Sequence, residues 1–184
     1  MPAITRSRLI PLAVFALLVV ASARPADAQR VRTIFLVRHA EKASDAADAP
    51  LSAQGRQRAE CLAGMLRDAH IDKIYTSDLQ RTQQTAAPLA QILHLQPVII
   101  PFAKPAGVDA AILAGQAANV LVVWHSRALP GIVRGLGIPE ADVAPMPETE
   151  YDRLTIVTLD GGSDGNAKVA HARITILRFC DPAQ

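Results

Sequence analysis

The stretch TIFLVRHAEK, residues 33–42, places an arginine and a histidine directly after a short apolar run. TIFLV is typical of a buried strand, so Arg38 and His39 are predicted at its carboxyl end. A guanidinium group is a planar, charged fork of donors that matches phosphate oxygens two at a time. A neutral imidazole is a good nucleophile. The pair therefore predicts a site in which Arg38 holds a phosphate while His39 attacks it.

Similar polar groups follow two other predicted strands. DKIYTS is followed one helical turn later by Arg81, and the apolar strand NVLVVWH ends at His125, before Ser126. Ligands of open α/β sheets bind beyond the carboxyl ends of the strands, so these groups are expected at one rim. Two arginines suit a dianion, and a second histidine can hydrogen-bond the transferring group as its charge shifts.

The chain between these motifs alternates predicted strands and helices. PVIIP is a third inner strand, and RLTIVTLD and ARITILRF are two closing strands joined by a hairpin turn across GGSDGN. Helices are predicted at PLSAQGRQRAECLAGMLRDA with Ser52 as N-cap, at LQRTQQTAAPLAQILH with a kink or break at Pro88, at GVDAAILAGQ and at RALPGIVRGLG. This order predicts an α/β sandwich with a mostly parallel sheet and an antiparallel contribution from the last two strands.

Residues 1–28 have the order of a secretory signal peptide. Arg6 and Arg8 precede the apolar run LIPLAVFALLVVASA, and Ala26 and Ala28 form a small-residue cleavage site. A transmembrane anchor is the alternative, but the run is shorter than the about 20 residues that a span needs. Cleavage after Ala28 leaves one domain, residues 29–184, exported to the periplasm or secreted, with no stable membrane anchor.

The charge and cysteine content limit the function classes. Loss of residues 1–28 leaves 16 basic and 16 acidic side chains, and only 4% of the chain is aromatic, so binding to nucleic acid has no electrostatic support. Cys61 and Cys180 are too far apart in sequence for a metal knuckle or a C-x-x-C redox motif. They are either one disulfide of an exported protein or two separate buried thiols.

At these motifs the chain resembles the histidine phosphatase superfamily, which has the phosphoglycerate-mutase-like fold. LVRHAEK is similar to its R-H-G motif, LSAQGRQRAECLA to its L-T-x-x-G-x-x-Q-A helix start, and IYTSDLQRTQQTA to its Y-S-S-x-L-x-R-A-x-Q-T-A segment. VLVVWHSRALPGIV resembles the second-histidine segment, and TEYDRLTIVTL the closing strand of a short branch whose first motif reads R-H-A-E-K. The order of these motifs and their matching spacing make the resemblance specific.

The resemblance implies a three-layer α/β/α sandwich and a reaction through a phosphohistidine, with no metal and no cofactor. It makes His39 the nucleophile, His125 the second histidine, and Arg38 and Arg81 the ligands of a small phosphorylated substrate. Three further residues near these motifs are candidate substrate contacts, namely Glu41, Ser77 and Ser126. Glu41 has a solvated charge as its plainer alternative, and Ser77 a strand-to-helix cap.

Some positions depart from the superfamily pattern. Ala40 stands where glycine is usual, Lys42 where threonine is usual, and Trp124 where glycine precedes the second histidine. PFAKPAGVDAA, where the catalytic acid usually lies, contains no glutamate; Asp109 is its one carboxyl group, a possible acid or a helix cap. The sequence thus predicts an exported phosphatase, with a phosphomutase of the same fold or a non-catalytic phospholigand-binding module as alternatives.

Overall fold

The computed structural model describes residues 31–161 and 171–180. In chain order, the elements of this part are β1 (Arg32–Arg38), α1 (Ala53–Leu66), β2 (Lys73–Ser77), α2 (Gln80–Ile92), β3 (Val98–Ile100), α3 (Ala106–Ala114), β4 (Asn119–Trp124), α4 (Leu129–Gly135), a short 3₁₀ turn (Glu140–Asp142), β5 (Arg153–Asp160) and β6 (His171–Arg178). The predicted signal peptide and, apart from Gly161, the predicted GGSDGN turn lie outside the described residues.

The described strands form one sheet in the order β3-β2-β4-β1-β5-β6. The first four strands in that order are parallel, whereas β5 and β6 are antiparallel to their neighbours. The prediction of a mostly parallel sheet is therefore right for the part that carries the motifs, and the whole sheet is mixed. Residues 161–170 are too few for a parallel crossover, which needs a dozen or more residues, so β5 and β6 pair antiparallel.

Helices cover both faces of the sheet. Successive side chains of the central strand β4 point to opposite sides, and those on both sides are apolar and buried. Val120, Val122 and Trp124 are buried in one apolar cluster with residues of α3 and α4. Leu121 and Val123 are buried in a second cluster with residues of α1 and α2. The three-layer α/β/α arrangement is thus confirmed.

The helix boundaries agree with the sequence except at one proline. Ser52 caps α1, with its Oγ accepting from the Gly55 amide at 3.0 Å, as predicted. Of the kink or break predicted at Pro88, the break is absent, because α2 continues through this residue to Ile92. Ala86, Leu89 and Ala90 bury both halves of this helix against the sheet, and that packing outweighs the hydrogen bond that Pro88 cannot donate. No helix of the described residues is long and apolar enough to cross a membrane.

A disulfide and an ion pair tie the end of the described chain to the loop after β1. Cys61 in α1 is bonded to Cys180, with the two Cα atoms 6.1 Å apart, so the structure decides for the disulfide over two free thiols. Arg58, one turn earlier in α1, donates to the Cys180 carbonyl at 2.6 Å and to the Glu41 carboxylate at 2.7 Å. The loop that carries His39 is therefore joined through α1 to the segment that follows β6.

This loop also packs directly on the first turn of α1. A Cβ atom at Gly55 would lie 2.3 Å from the carbonyl oxygen of Glu41, which accepts a hydrogen bond from the Ser52 amide. Since backbone cannot move aside as a flexible side chain can, the close approach requires glycine at position 55.

We predict opposite effects of two glycine substitutions in α1. Gly55→Ala should lower the free energy of unfolding by about 1–3 kcal/mol, the usual cost of overpacking. Gly64→Ala is the matched control, because a Cβ there meets nothing within 4 Å. It should stabilise the helix by about 0.5–1 kcal/mol. Urea unfolding of both variants checks the prediction, and equal effects would contradict it.

Candidate active site

The register of β1 on β4 brings the two histidines together. Arg38 pairs with Trp124 across the parallel strands, and the His39 amide donates to the Trp124 carbonyl at 2.8 Å. His39 and His125, which follow these two residues, have ring centroids 5.2 Å apart. Two motifs that are 86 positions apart in the sequence thus meet at the carboxyl ends of neighbouring strands.

The His39 ring has a defined tautomer. Its Nδ1 lies 2.8 Å from the carbonyl oxygen of Ala40, which can only accept, so Nδ1 carries the proton and Nε2 keeps its lone pair. The pKa of His39 is lowered to about 3, mainly by burial and also by the charges of Arg38, Arg81 and Lys42, against the opposing effect of the Ala40 hydrogen bond. The ring is therefore neutral near neutral pH and offers Nε2 as a nucleophile.

Two buried arginines flank these histidines. Arg38 donates through Nη1 to the backbone carbonyl of Glu148 and lies 4.0 Å from the ring centroid of Tyr151. Arg81 donates through Nη1 to the Ala47 carbonyl at 2.7 Å. The Nε–H groups of both arginines are buried and find no acceptor among the described residues. Unsatisfied buried donors are rare and costly, so this pair is suited to an anion that accepts from both.

His125 is held by a chain of hydroxyl groups. Its Nδ1 lies 3.4 Å from Nη2 of Arg81, which can only donate, so Nε2 carries the proton and donates to Ser77 Oγ at 2.9 Å. Ser77 in turn donates to Thr82 Oγ1 at 2.8 Å, and Thr82 to the Leu79 carbonyl at 2.9 Å. Burial lowers the pKa of His125 to about 3, with His39, Arg81 and Arg38 adding to the effect.

The start of α2 braces the loop after β1 with residues that the sequence did not single out. Thr85 Oγ1 accepts from the Ala40 amide at 2.9 Å and donates to the Arg81 carbonyl at 2.7 Å. Gln84 Oε1 accepts from the Leu51 amide at 2.8 Å. The signal for these residues is their helical spacing from Arg81, at three and four positions, which puts them on neighbouring faces of the same helix.

These groups line a cleft of about 440 Å³ at the rim of the sheet, formed by Arg38, His39, Lys42, Arg81, Phe102, Pro105, His125, Ser126, Arg127, Ala128 and Glu148. Phe102 contacts His125 edge-on, with centroids 4.7 Å apart. With neutral histidines, the lining carries four positive charges and one negative charge. Among the described residues, no three His, Cys, Asp or Glu side chains group as a metal site.

Family comparisons agree with this geometry. Residues 34–101 match the model of the histidine phosphatase superfamily (branch 1). That stretch contains Arg38, His39 and Arg81, and the sheet places His125 beside them. In this stretch the chain is similar to the histidine phosphatase superfamily.

Two curated relatives match parts of the chain. A probable phosphoglycerate mutase GpmB from Yersinia enterocolitica is 41% identical over 75 residues, covering 37% of this chain and 35% of the relative. An 8-oxo-(d)GTP phosphatase from Mycolicibacterium smegmatis is 29% identical over 125 residues, covering 60% of this chain and 38% of the relative. The chain thus matches little more than a third of the length of either relative.

Solved structures support the fold. One entitled "Mycobacterial hydrolase 2" superposes with a TM-score of 0.67 at 15% sequence identity, covering 79% of this chain and 89% of that chain. At this identity the similarity bears on the fold alone.

The other predicted site residues lie in different parts of the structure. Ser126 is buried in the cleft wall. Ser77 is fully buried and bonds to His125, so it supports that ring from behind. Glu41 binds Arg58 and is not part of the cleft lining. Asp109 packs against Gly135 in α4, where a Cβ would meet its Oδ2 at 1.9 Å, and it does not line the cleft.

The helix-cap alternative for Asp109 is wrong, because α3 begins after Pro105 and no side chain caps it. Asp109 lies in the first turn instead, where a carboxylate interacts favourably with the helix dipole. The residues that depart from the superfamily pattern also differ in their location. Trp124 is fully buried core, whereas Lys42 lines the cleft.

We predict that Ser77→Ala lowers kcat by about tenfold with a smaller change in KM. The substitution leaves the Nε2–H of His125 without its acceptor, and such a loss costs about 1–3 kcal/mol. Thr76→Val is the matched control, because Thr76 is equally buried on the same strand but its hydroxyl has no partner among the described residues. Steady-state kinetics on an aryl phosphate checks this, and equal kinetics for both variants would exclude a role of Ser77 in holding His125.

We also predict that the free energy of unfolding falls as the pH falls from about 6.5 towards 3. In this window the unfolded chain protonates His39 and His125, whereas the folded chain, with both pKa values lowered to about 3, does not. Urea unfolding at several pH values measures the slope. The double variant His39→Ala/His125→Ala should show a shallower slope than the parent protein, and identical slopes would refute this source of acid sensitivity.

Proposed function

We propose that the protein is an exported phosphatase that hydrolyses phosphomonoesters or related phosphorylated groups through a phosphohistidine on His39. One observation carries this proposal: a neutral imidazole with a free Nε2 lies in a cleft beside two buried arginines whose Nε–H groups lack acceptors. Nucleophile and dianion receptor are thus present together.

The geometry supports a two-step reaction. Arg38 and Arg81 bind the oxygens of the phosphoryl group, while Nε2 of His39 attacks phosphorus and the bond to the leaving oxygen breaks. The Ala40 carbonyl stabilises the positive charge that this ring acquires. A bound dianion also favours protonation of His125, which can then donate to the phosphoryl group from Nδ1. Water next attacks phosphorus, the N–P bond breaks, and orthophosphate leaves.

The cleft supports substrates whose leaving group needs little protonation. Glu148 is the carboxyl residue among the described residues that line it, and its Oε1 accepts from Arg127 Nε at 2.6 Å. Asp109, the possible acid of the sequence, lies against α4. A positioned general acid is typically worth about 10²–10⁴ in rate, and alkyl phosphates depend on it most. The leaving groups of aryl phosphates, phosphoanhydrides and phosphohistidine depart without such help.

Two observations support export. Residues 1–28 have the charge and hydrophobicity order of a signal peptide. The structure joins Cys61 to Cys180, and disulfides persist in the periplasm and outside the cell rather than in the cytosol.

The alternatives are a mutase and a non-catalytic module. The partial similarity to a probable phosphoglycerate mutase favours the first. A mutase returns the phosphoryl group of the enzyme to a second organic hydroxyl, whereas a phosphatase releases it to water. A module that only binds would not need the neutral, hydrogen-bonded His39.

We predict that His39→Ala removes nearly all hydrolysis of p-nitrophenyl phosphate, because the phosphoenzyme cannot form. Acid-labile phosphate should be trapped on His39 in the parent protein during turnover. His171→Ala is the control, because this exposed histidine lies at the start of β6, outside the cleft. Both variants should remain folded by circular dichroism.

Activity of His39→Ala close to that of the parent protein would overturn the proposal. Transfer of phosphate to an acceptor hydroxyl, without release of orthophosphate, would identify a mutase. Tight binding of orthophosphate without turnover would identify a binding module.

A further inference from the structure

The cleft contains more positive charge than a phosphate monoester needs. Arg38 and Arg81 already balance a dianion, and Arg127 is paired with Glu148. Lys42 is therefore a surplus cation in the lining. Its partner, Asp45, lies 3.5 Å away and is fully exposed, and an exposed pair of this kind contributes little.

Lys42 is held in this position by the backbone. It forms a β-bridge with Leu51, and the Leu51 amide is in turn fixed by Gln84 of α2. The side chain is about a quarter exposed, so part of its solvation has already been given up. Its charge is felt at His39, where it adds to burial and the two arginines in lowering that pKa. The backbone of Lys42 is thus held in place, and its side chain lines the cleft that contains His39.

Arg127 supplies a second cation that can change partner. It follows β4 and His125, and its side chain is largely exposed, as is that of Glu148. A solvent-exposed ion pair is weak, so a substrate anion can displace Glu148 from the guanidinium at little cost. Lys42 and Arg127 come from different segments and line the same cleft, so both are available to one further anionic group.

We propose that the substrate is a phosphoanhydride, with its terminal phosphoryl group on Arg38 and Arg81 and its second phosphoryl group on Lys42 and Arg127. The inference rests on the proposed phosphatase function and names its substrate class. Two observations support it: the cleft has surplus positive charge, and its described lining residues include no carboxyl group that is free of an ion pair.

The chemical step follows from this placement. Nε2 of His39 forms a bond to the terminal phosphorus, the bond from that phosphorus to the bridging oxygen breaks, and its electron pair stays on that oxygen. The leaving group is a phosphate, whose conjugate acid has a pKa of about 6, so it departs without a proton. Lys42 and Arg127 stabilise its growing charge. Water then cleaves the N–P bond, giving orthophosphate, the second phosphate-bearing product and a proton.

Two probes separate this subsite from the rest of the site. Inorganic pyrophosphate carries the second phosphoryl group, and phenyl phosphate lacks it but also has a good leaving group. Lys42→Gln and Arg127→Gln should each lower kcat/KM for pyrophosphate about tenfold more than for phenyl phosphate, as expected for loss of a charge-assisted hydrogen bond. Glu148→Gln should raise kcat/KM for pyrophosphate, because it frees Arg127.

The control is Arg67→Gln, which removes an exposed positive charge after α1, outside the cleft, and should affect both substrates equally. Equal losses on both probes for Lys42→Gln and Arg127→Gln would overturn the subsite while leaving the phosphatase intact. Hydrolysis of phenyl phosphate with no turnover of pyrophosphate by the parent protein would do the same. Hydrolysis of neither compound would overturn the phosphatase itself, and the subsite with it.

Discussion

The parallel pairing of β1 with β4 is the constraint on which the candidate site depends. It sets Arg38 opposite Trp124, and so puts His39 beside His125. A slip of one residue would turn every side chain of β1 to the other face, and the buried residues on both faces forbid it. Since β2 pairs with the other edge of β4, Ser77 reaches His125 by the same logic. The order and register of the strands thus determine the geometry of the candidate site.

The electrostatics of the cleft follow from packing cationic groups where water is scarce. Backbone carbonyls, rather than carboxylates, accept from the Nη1 atoms of Arg38 and Arg81, so their positive charges are oriented but not neutralised. The same burial and the same charges keep both histidines neutral. In the proposed function, the phosphoryl group of the substrate supplies the missing negative charge and the missing acceptors together. Under that proposal, the features that cost folding free energy are those that bind the ligand.

The sequence was most informative where local pattern and strand ends decide the outcome. Apolar runs located the inner strands, and the residues after them met at one rim, because parallel strands end at the same edge. Glu41, Ser77 and Asp109 could not be placed that way. Their positions depend on Arg58, His125 and Gly135, which are 17, 48 and 26 residues away and lie on other elements. At Pro88, tertiary packing overrode a local preference that the sequence alone could not weigh.

The disulfide is also connected to the candidate site. Cys61 and Cys180 close a long loop of chain, and the Cys180 carbonyl that this bond fixes is an acceptor for Arg58. Arg58 holds the carboxylate of Glu41, two residues beyond His39, and Gly55 lets the backbone at Glu41 approach α1. The loop that supplies the Ala40 carbonyl to His39 is thus braced from α2 by Thr85 and from α1 by Arg58. Of these two braces, the one from α1 is linked to a covalent bond, so formation of the disulfide supports the position of His39 as well as the stability of the fold.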